Sequence, residues 1–266
     1  MRFAWQGFGL DHPEDWAPLS LQGDRNEGYV RIASAGKISF QVRWKHQKPP
    51  DNLEGALGAY RDRLAKDARK RKIPFEFDSE RQGERSVYRY SGGDHGRGAL
   101  FFSQPCSRVF FVEAVAPRRE SILGPFRTLL ESFISYGDRP AEWWSLFGLE
   151  VQLPAGLKIR NPMLQAGRTM IEGDGPRVGL RAERWAFGAE LLRRHALPDW
   201  ATSVLQMRQP EIIEENGGLR LREHRAFLRA PVEAIVRYEE DRNQLITIRC
   251  STRQPNWRPQ WDWLRS

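Results

Sequence analysis

The feature that most constrains the fold of this chain is a six-residue pattern that occurs twice. Trp-x-x-Phe-Gly-Leu is written WQGFGL at residues 5–10 and WSLFGL at residues 144–149. A pattern that recurs at long spacing indicates that one structural unit is present more than once. A chain of 266 residues has room for two domains of ordinary size. The pattern therefore predicts two copies of one unit.

The segments that follow the two patterns match in type and order. Each copy predicts a pair of strands around a glycine turn, then an amphipathic helix, then further strands, and finally a second helix. Two tryptophan pairs, Trp5 with Trp144 and Trp44 with Trp185, are interpreted as recurring packing positions. The matched segments, first copy against second, are 28–44 with 167–185, 49–72 with 197–209, 84–93 with 219–230, 99–116 with 234–252, and 119–134 with 256–266.

These matches predict the fold class and the domain boundary. Antiparallel strands combined with helices that cover them are typical of the α+β class. The polar stretch SYGDRPAE at residues 135–142 contains Gly and Pro, as an exposed linker does. We therefore expect two tandem α+β repeats, residues 1–137 and 138–266.

Two stretches resemble a known family. They are FGLDHPEDW at residues 8–16 and FGLEVQLPAGL at residues 147–157. With the order of elements above, they resemble the PsbP-like fold, which includes the PsbP subunit of photosystem II, the Mog-type Ran-binding import factor and bacterial relatives. The resemblance implies an α+β unit with a binding or scaffolding role. One bacterial branch looks like dimeric chaperones that hold apolar helices of type VI secretion effectors, and a tandem repeat would imitate such a dimer in one chain.

Composition favours a cytoplasmic protein without a bound cofactor. No stretch of the chain approaches the ~20 uninterrupted apolar residues of a membrane span. Near the N-terminus Asp11 and Glu14 arrive too early for the apolar core of a signal peptide. The two cysteines, Cys106 and Cys250, are far apart and form no C-x-x-C motif. We therefore expect reduced thiols and no zinc, redox or other cofactor site.

The search for catalytic motifs predicts a protein that is not an enzyme. The five histidines show no H-E-x-x-H spacing, and there is no G-x-S-x-G or phosphate-loop motif. The strongest polar candidate is GGDHGRG at residues 92–98, in which Asp94 and His95 would bind an anion or transfer a proton. The favoured interpretation of this stretch is a glycine-rich turn between two strands.

A basic cluster and a group of tryptophans are candidates for binding a partner. The formal net charge is +8, and the basic residues in KDARKRK are Lys66, Arg69, Lys70, Arg71 and Lys72. They would meet phosphates or an acidic partner, or would complement the dipole at the end of a helix, which is the favoured interpretation.

The C-terminal tryptophans have two interpretations as well. Trp257, Trp261 and Trp263 are expected to pack onto the second sheet or between the domains. The alternative is an aromatic surface for a partner, because Trp is favoured at interface hot spots.

The sequence thus favours a non-enzymatic binding protein, an adaptor or chaperone, that recognises another protein. Its two units would pack with pseudo-twofold symmetry in a monomer, or the chain would form a homodimer. One alternative is a nucleic-acid-associated protein that uses its basic surface. The other is a small-ligand binder or enzyme that uses a cleft between the domains.

Overall fold

The computed structural model describes most of the chain and divides it into two compact units. These units are Met1–Arg139 and Pro140–Ser266, so the division falls inside the predicted linker. The described residues are 1–34, 38–49, 53–117, 120–137, 141–160, 162–223, 230–253 and 258–264.

The first unit is built around one antiparallel sheet. Its strand order is β3-β4-β5-β9-β8-β7-β6, and the short strands β1, β2 and β10 pair separately in the order β1-β2-β10. The strands are β1 (Arg2–Trp5), β2 (Phe8–Asp11), β3 (Trp16–Gly23), β4 (Glu27–Ser34), β5 (Ser39–His46), β6 (Glu76–Gln82), β7 (Arg85–Ser91), β8 (Asp94–Ser103), β9 (Arg108–Pro117) and β10 (Ile134–Ser135). The helices are α1 (Glu54–Lys70) and α2 (Leu123–Ser132).

The two faces of this sheet pack against different helices. Leu57 and Tyr60 of α1 lie against one face, where they join a buried cluster with Leu100 of β8. Helix α2 contacts β2, β8 and β9. Alternation along β9 sends Phe110 toward an aromatic cluster with Phe8 on the face opposite α1. Each large apolar side chain buried in this way contributes about 1.5–3 kcal/mol.

The second unit has the same strand order as the first. Its sheet runs β13-β15-β16-β20-β19-β18-β17, and β14 also pairs with β15. Trp200 of α4 packs in a buried cluster on one face, as α1 does in the first unit. The strands are β11 (Ala141–Leu146), β12 (Leu149–Pro154), β13 (Lys158–Ile159), β14 (Met163–Gln165), β15 (Arg168–Gly175), β16 (Val178–Ala186), β17 (Glu211–Glu215), β18 (Gly218–Glu223), β19 (Val232–Glu239) and β20 (Gln244–Thr252). The helices are α3 (Gly188–Leu192) and α4 (Leu197–Val204).

The predicted α+β class is wrong, because the fold is mainly β. Strands hold 53 % of the described residues and helices 19 %. The prediction missed β6 and β17, whose sequences EFDSERQ and EIIEE are mostly charged and lack an alternating apolar pattern. It also overestimated the helices of the second unit, where the expected C-terminal helix is a single 3₁₀ turn, Trp261–Trp263.

The repeated Trp-x-x-Phe-Gly-Leu pattern is out of register between the two units by two residues. In the first unit the β1–β2 turn is Gln6–Gly7, with φ of 48° and 84°. In the second unit the β11–β12 turn is Phe147–Gly148, with φ of 49° and 80°. Two central residues with positive φ are typical of the type I′ hairpin turn.

The two turns are therefore equivalent. Trp5 in the first unit thus occupies the same position as Leu146 in the second, and not that of Trp144. The predicted match of Trp5 with Trp144 is wrong. A shift of two residues keeps every side chain on its original face of a strand. For this reason the apolar pattern still matched.

The second tryptophan pair, Trp44 with Trp185, is out of register by one residue. The β8–β9 and β19–β20 loops end in the left-handed residues Ser107 and Asn243, and each of these donates its N–H to the carbonyl three residues earlier. These loops align β9 with β20, and the strand pairing then aligns β5 with β16. In this alignment Trp44 corresponds to Arg184.

A shift of one residue reverses the face of a strand. The ring of Trp44 lies 5.2 Å from that of Phe8, whereas the ring of Trp185 lies 5.8 Å from that of Trp200 on α4. The two tryptophans therefore serve different sides of their sheets, and their predicted match is wrong.

Candidate functional site

A cleft of about 460 Å³ lies in the first unit, beside the start of α2. Clefts of this size accommodate small organic ligands. Its residues come from β6, β7, β8 and α2: Glu76, Phe77, Asp78, Arg89, Tyr90, Ser91, His95, Gly96, Arg97, Ile122 and Leu123.

Basic side chains meet in this cleft because of the strand register. Arg89 of β7 is directly opposite Arg97 of β8, and His95 precedes Arg97 by two residues and so shares its face. Arg89 forms an exposed ion pair with Asp78 at 2.9 Å. The guanidinium of Arg97 lies 5.7 Å from the ring centroid of Phe126, and no carboxylate of a described residue is within ion-pair distance of it.

Asp94 and His95 do not act as a pair. Strand β8 begins at Asp94, so these consecutive side chains point to opposite faces of the sheet. The predicted turn is limited to Gly92 and Gly93, because residues 94–98 are in the strand. The cleft that contains His95 lies within the first unit.

The glycines of the same stretch have a packing role. A Cβ on Gly96 would lie 2.3 Å from the ring of Tyr90, and a Cβ on Gly98 would lie 2.3 Å from that of Tyr88. These tyrosines are the cross-strand partners of the two glycines. The two tyrosine rings therefore lie directly over the backbone of β8, at positions where any side chain larger than that of glycine would collide with them.

A buried carboxylate lies on the α1 side of the same sheet. Glu113 of β9 is only 3 % exposed. Tyr60 donates its hydroxyl to both carboxylate oxygens at 2.9 Å, Tyr88 donates at 3.3 Å, and Arg43 lies 3.9 Å away. Burial raises the pKa of Glu113, although Arg43 and the two hydroxyls oppose the shift.

Burial also raises the pKa of the two tyrosines, and the neighbouring Glu113 carboxylate raises it further. The polar capacity of this cluster is satisfied internally, so we interpret it as structural rather than catalytic. The sequence signal was a single Glu inside the apolar stretch VFFVEAVA.

The second unit places its most deeply buried acid on a different strand. Glu183 of β16 is fully buried and forms ion pairs with Arg168, at 2.7 Å, and with Arg181. Counted from the equivalent β-hairpin loops, Glu183 occupies the position of Arg43, and Arg249 occupies that of Glu113. Acid and base have therefore exchanged strands between the two units.

The basic cluster lies where α1 ends. Lys66, Arg69, Lys70, Arg71 and Lys72 are all exposed, and none of them forms an ion pair with a described residue. Helix α4 of the second unit ends without a basic side chain in its last turn. The placement at a helix C-terminus fits the favoured dipole interpretation, and the exposure also leaves the cluster free for an anion.

The C-terminal tryptophans pack onto the second unit. Trp261 donates its indole N–H to Glu215 at 2.9 Å, and its ring lies against Gly218 of β18. Trp263 is buried, whereas Trp257 lies outside the described residues. The favoured interpretation, packing onto the second sheet, is confirmed for Trp261.

A small group of exposed apolar side chains lies at one edge of the second sheet. Met163 and Leu164 of β14 are 37 % and 44 % exposed, and Phe187 is 62 % exposed. A Cβ on Gly167, in the β14–β15 turn, would lie 3.6 Å from the ring of Phe187. We call Met163, Leu164 and Phe187 the apolar edge. Sequence reasoning missed it.

Other edge strands of the two large sheets are protected against association. Strand β6 is charged and exposed, β17 is acidic, and β3 contains Pro18 next to a register irregularity. Charges, proline and bulges at edges prevent strand pairing with other chains. The apolar edge departs from this pattern.

Phe187 combines exposure with an unfavourable backbone conformation. Its φ is 60° and its ψ is 43°, in the left-handed region that a bulky L-residue rarely adopts. Neither the strain nor the exposure contributes to packing. Features of this kind concentrate at binding surfaces.

Metal-ligating side chains do not cluster among the described residues, and one of the two cysteines is buried. These residues contain no group of three His, Cys, Asp or Glu side chains that could hold a metal ion. Cys250 is buried, which raises its pKa to about 12 and keeps it a thiol. Within the described part of the chain, no helix has the length and apolar character needed to cross a membrane.

Comparison with known proteins gives little. No protein-family model matches the chain, and no curated protein matches it. A crystal structure from Bacteroides thetaiotaomicron VPI-5482 has a TM-score of 0.31 and 11 % sequence identity. The match covers 53 % of this chain and 52 % of that one, so this chain spans about half the length of that protein.

Proposed function

We propose that this protein is a non-enzymatic adaptor or chaperone-like protein that binds another protein through the apolar edge. The observation that carries the proposal is the strained and exposed Phe187, which lies beside the turn that follows the exposed strand β14. Exposed aromatic and Met side chains are enriched at protein interfaces. The edge strand adds backbone groups that an extended partner segment can pair with.

The ionic networks of the two units support a binding role over a catalytic one. Glu113 and Glu183 are buried and already paired with Tyr or Arg side chains, so neither is available to a substrate. A PsbP-like origin of the unit stays a prediction, and the α+β unit that it implied is not found. In this proposal the second unit presents the binding surface.

The proposal is tested by replacing the exposed aromatic. Full-length protein and a Phe187→Asp variant are compared in affinity capture from the native lysate at high salt, with Leu19→Asp as the matched control. Leu19 has the same exposure of 62 % but lies in the first unit. We expect the same proteins to be lost with Phe187→Asp and retained with Leu19→Asp. Equal capture by all three proteins would contradict the proposal.

Nucleic-acid binding is the second candidate function, and the basic cluster favours it. Its five exposed cations lie within seven residues and have no acidic partner among the described residues. Such a surface would bind phosphates with an affinity that falls steeply with salt. Replacing Lys70, Arg71 and Lys72 by Gln should then reduce binding of a 20-mer single-stranded RNA at low salt. No binding at low salt, or binding unaffected by the replacement, would exclude this candidate.

A further inference from the structure

The cleft beside α2 contains polar groups that the fold does not use. Nδ1 of His95 and Nε of Arg97 are buried and have no hydrogen-bond partner among the described residues. A buried polar group without a partner destabilises the folded state. The positive charge of Arg97 also lacks a carboxylate partner among the described residues.

The neighbouring charges make this arrangement unfavourable in the absence of an anion. Arg89 and Arg97 are direct cross-strand partners, and like charges placed opposite each other destabilise a sheet. Asp78 compensates Arg89 only. The remaining acid of the cleft, Glu76, accepts a long hydrogen bond from Ser91 at 3.4 Å.

We propose that this cleft binds a small organic anion, a carboxylate or a phosphate ester with an apolar body. The anionic group would lie against Arg97 and His95, because a guanidinium offers a planar pair of donors to carboxylate or phosphate oxygens. The apolar body would lie along Ile122 and Leu123, which line the same cleft.

This site is separate from the apolar edge. The cleft belongs entirely to the first unit, whereas Met163, Leu164 and Phe187 belong to the second. The proposal therefore stands or fails independently of the proposed protein-binding function.

The test is calorimetric titration of the full chain with three six-carbon probes: hexanoate, hexyl phosphate and the neutral hexan-1-ol. We expect at least one of the two anions to bind and hexan-1-ol to bind at least tenfold more weakly. Preference between hexanoate and hexyl phosphate distinguishes a carboxylate ligand from a phosphate ester.

The decisive variant is Arg97→Gln, with Arg127→Gln as a control of equal charge change on the exposed side of α2. Arg97→Gln should weaken anion binding by at least tenfold, as expected for a lost charge-assisted hydrogen bond. It should leave the melting temperature unchanged or higher, because the repulsion with Arg89 is removed. Arg127→Gln should bind like the wild type.

A His95→Gln variant provides a second reading if Arg97→Gln fails to fold, and it should also weaken binding. The proposal is overturned if neither anion binds or if hexan-1-ol binds as well as the anions. It is also overturned if Arg97→Gln and His95→Gln, where they fold, bind the anions as tightly as the wild type.

Discussion

The two units share one strand order but use different side chains at equivalent positions. The most deeply buried acid of the first unit is Glu113, on the strand next to β5, and that of the second unit is Glu183, on the strand equivalent to β5 itself. Helix α1 has 17 residues, whereas α4 has eight. The topology therefore tolerates exchange of charge, helix length and aromatic face, as long as the sheet order is kept. We expect the functional surfaces to be specific to each unit.

The largest expected effect comes from neutralising Glu183, the most deeply buried acid of the second unit. Glu183→Gln would leave Arg168 and Arg181, which are partly buried, without the carboxylate of a fully buried partner. Breaking a buried ion pair in this way costs about 3–5 kcal/mol in the free energy of unfolding. Urea denaturation followed by tryptophan fluorescence measures it.

Glu113→Gln is the matched change in the first unit and should cost less, about 1–3 kcal/mol. Its carboxylate is held mainly by hydroxyl groups, and Arg43 is 3.9 Å away. An equal or larger loss for Glu113→Gln would show that the two acids do not differ as described.

A second comparison uses glycines in strands of the two sheets. Gly96→Ala in the first unit would place a Cβ 2.3 Å from the ring of Tyr90. Overpacking of this kind costs about 1–3 kcal/mol. Gly179→Ala in the second unit meets no atom within 4 Å and should be neutral or slightly stabilising. Thermal unfolding of both variants checks the difference, and equal melting temperatures would contradict it.

The pH dependence of stability should differ between wild type and Glu113→Gln. Burial raises the folded-state pKa of Glu113 above its ordinary value of 4.5. The folded state therefore binds this proton more tightly than the unfolded state. The contribution of Glu113 to stability is greatest below pH 4.5 and is lost as the pH rises through the raised pKa. Denaturation of both proteins from pH 4 to 8 should show this decline in wild type only, and parallel curves would refute it.

The smallest expected effect has the opposite sign. Phe187→Asn should raise the free energy of unfolding by up to about 1 kcal/mol, because Asn adopts the left-handed conformation more readily than Phe. The same change should weaken capture of the protein partner. Loss of stability in this variant would mean that the Phe187 ring contributes to packing.

The order of the hairpins was predictable from the sequence, but the fold class and the register were not. The order of hairpins and the position of the linker follow from alternating apolar residues and turn glycines, and the structure agrees with them. The match of Trp5 with Trp144 failed because a shift of two residues leaves every side chain on the same face of the strand. The alternating apolar pattern therefore looks the same in the correct and in the shifted alignment. Strands β6 and β17 were missed because they are edge strands. The charged residues that prevent such strands from pairing with other chains also remove the alternating apolar pattern of a strand.

The sequence also predicts only part of the two candidate sites, the cleft and the apolar edge. His95 was found from the sequence, but its neighbours Arg89 and Arg97 come together only through the pairing of β7 with β8. The apolar edge was missed because Met163, Leu164 and Phe187 are ordinary apolar residues in the sequence. The exposure of Met163 and Leu164 follows from the position of β14 at the edge of the sheet, and that of Phe187 from its left-handed position before α3.

The central claim is that the second unit presents the partner-binding surface, and site-specific photocrosslinking tests it most directly. A photoreactive phenylalanine analogue is placed at position 187 or, as the control, at position 19, whose native side chain is equally exposed in the first unit. The full chain is then irradiated in its native cell. We predict a discrete crosslinked protein from position 187 and none from position 19. Crosslinks of equal yield from both positions, or none from position 187, would contradict the account.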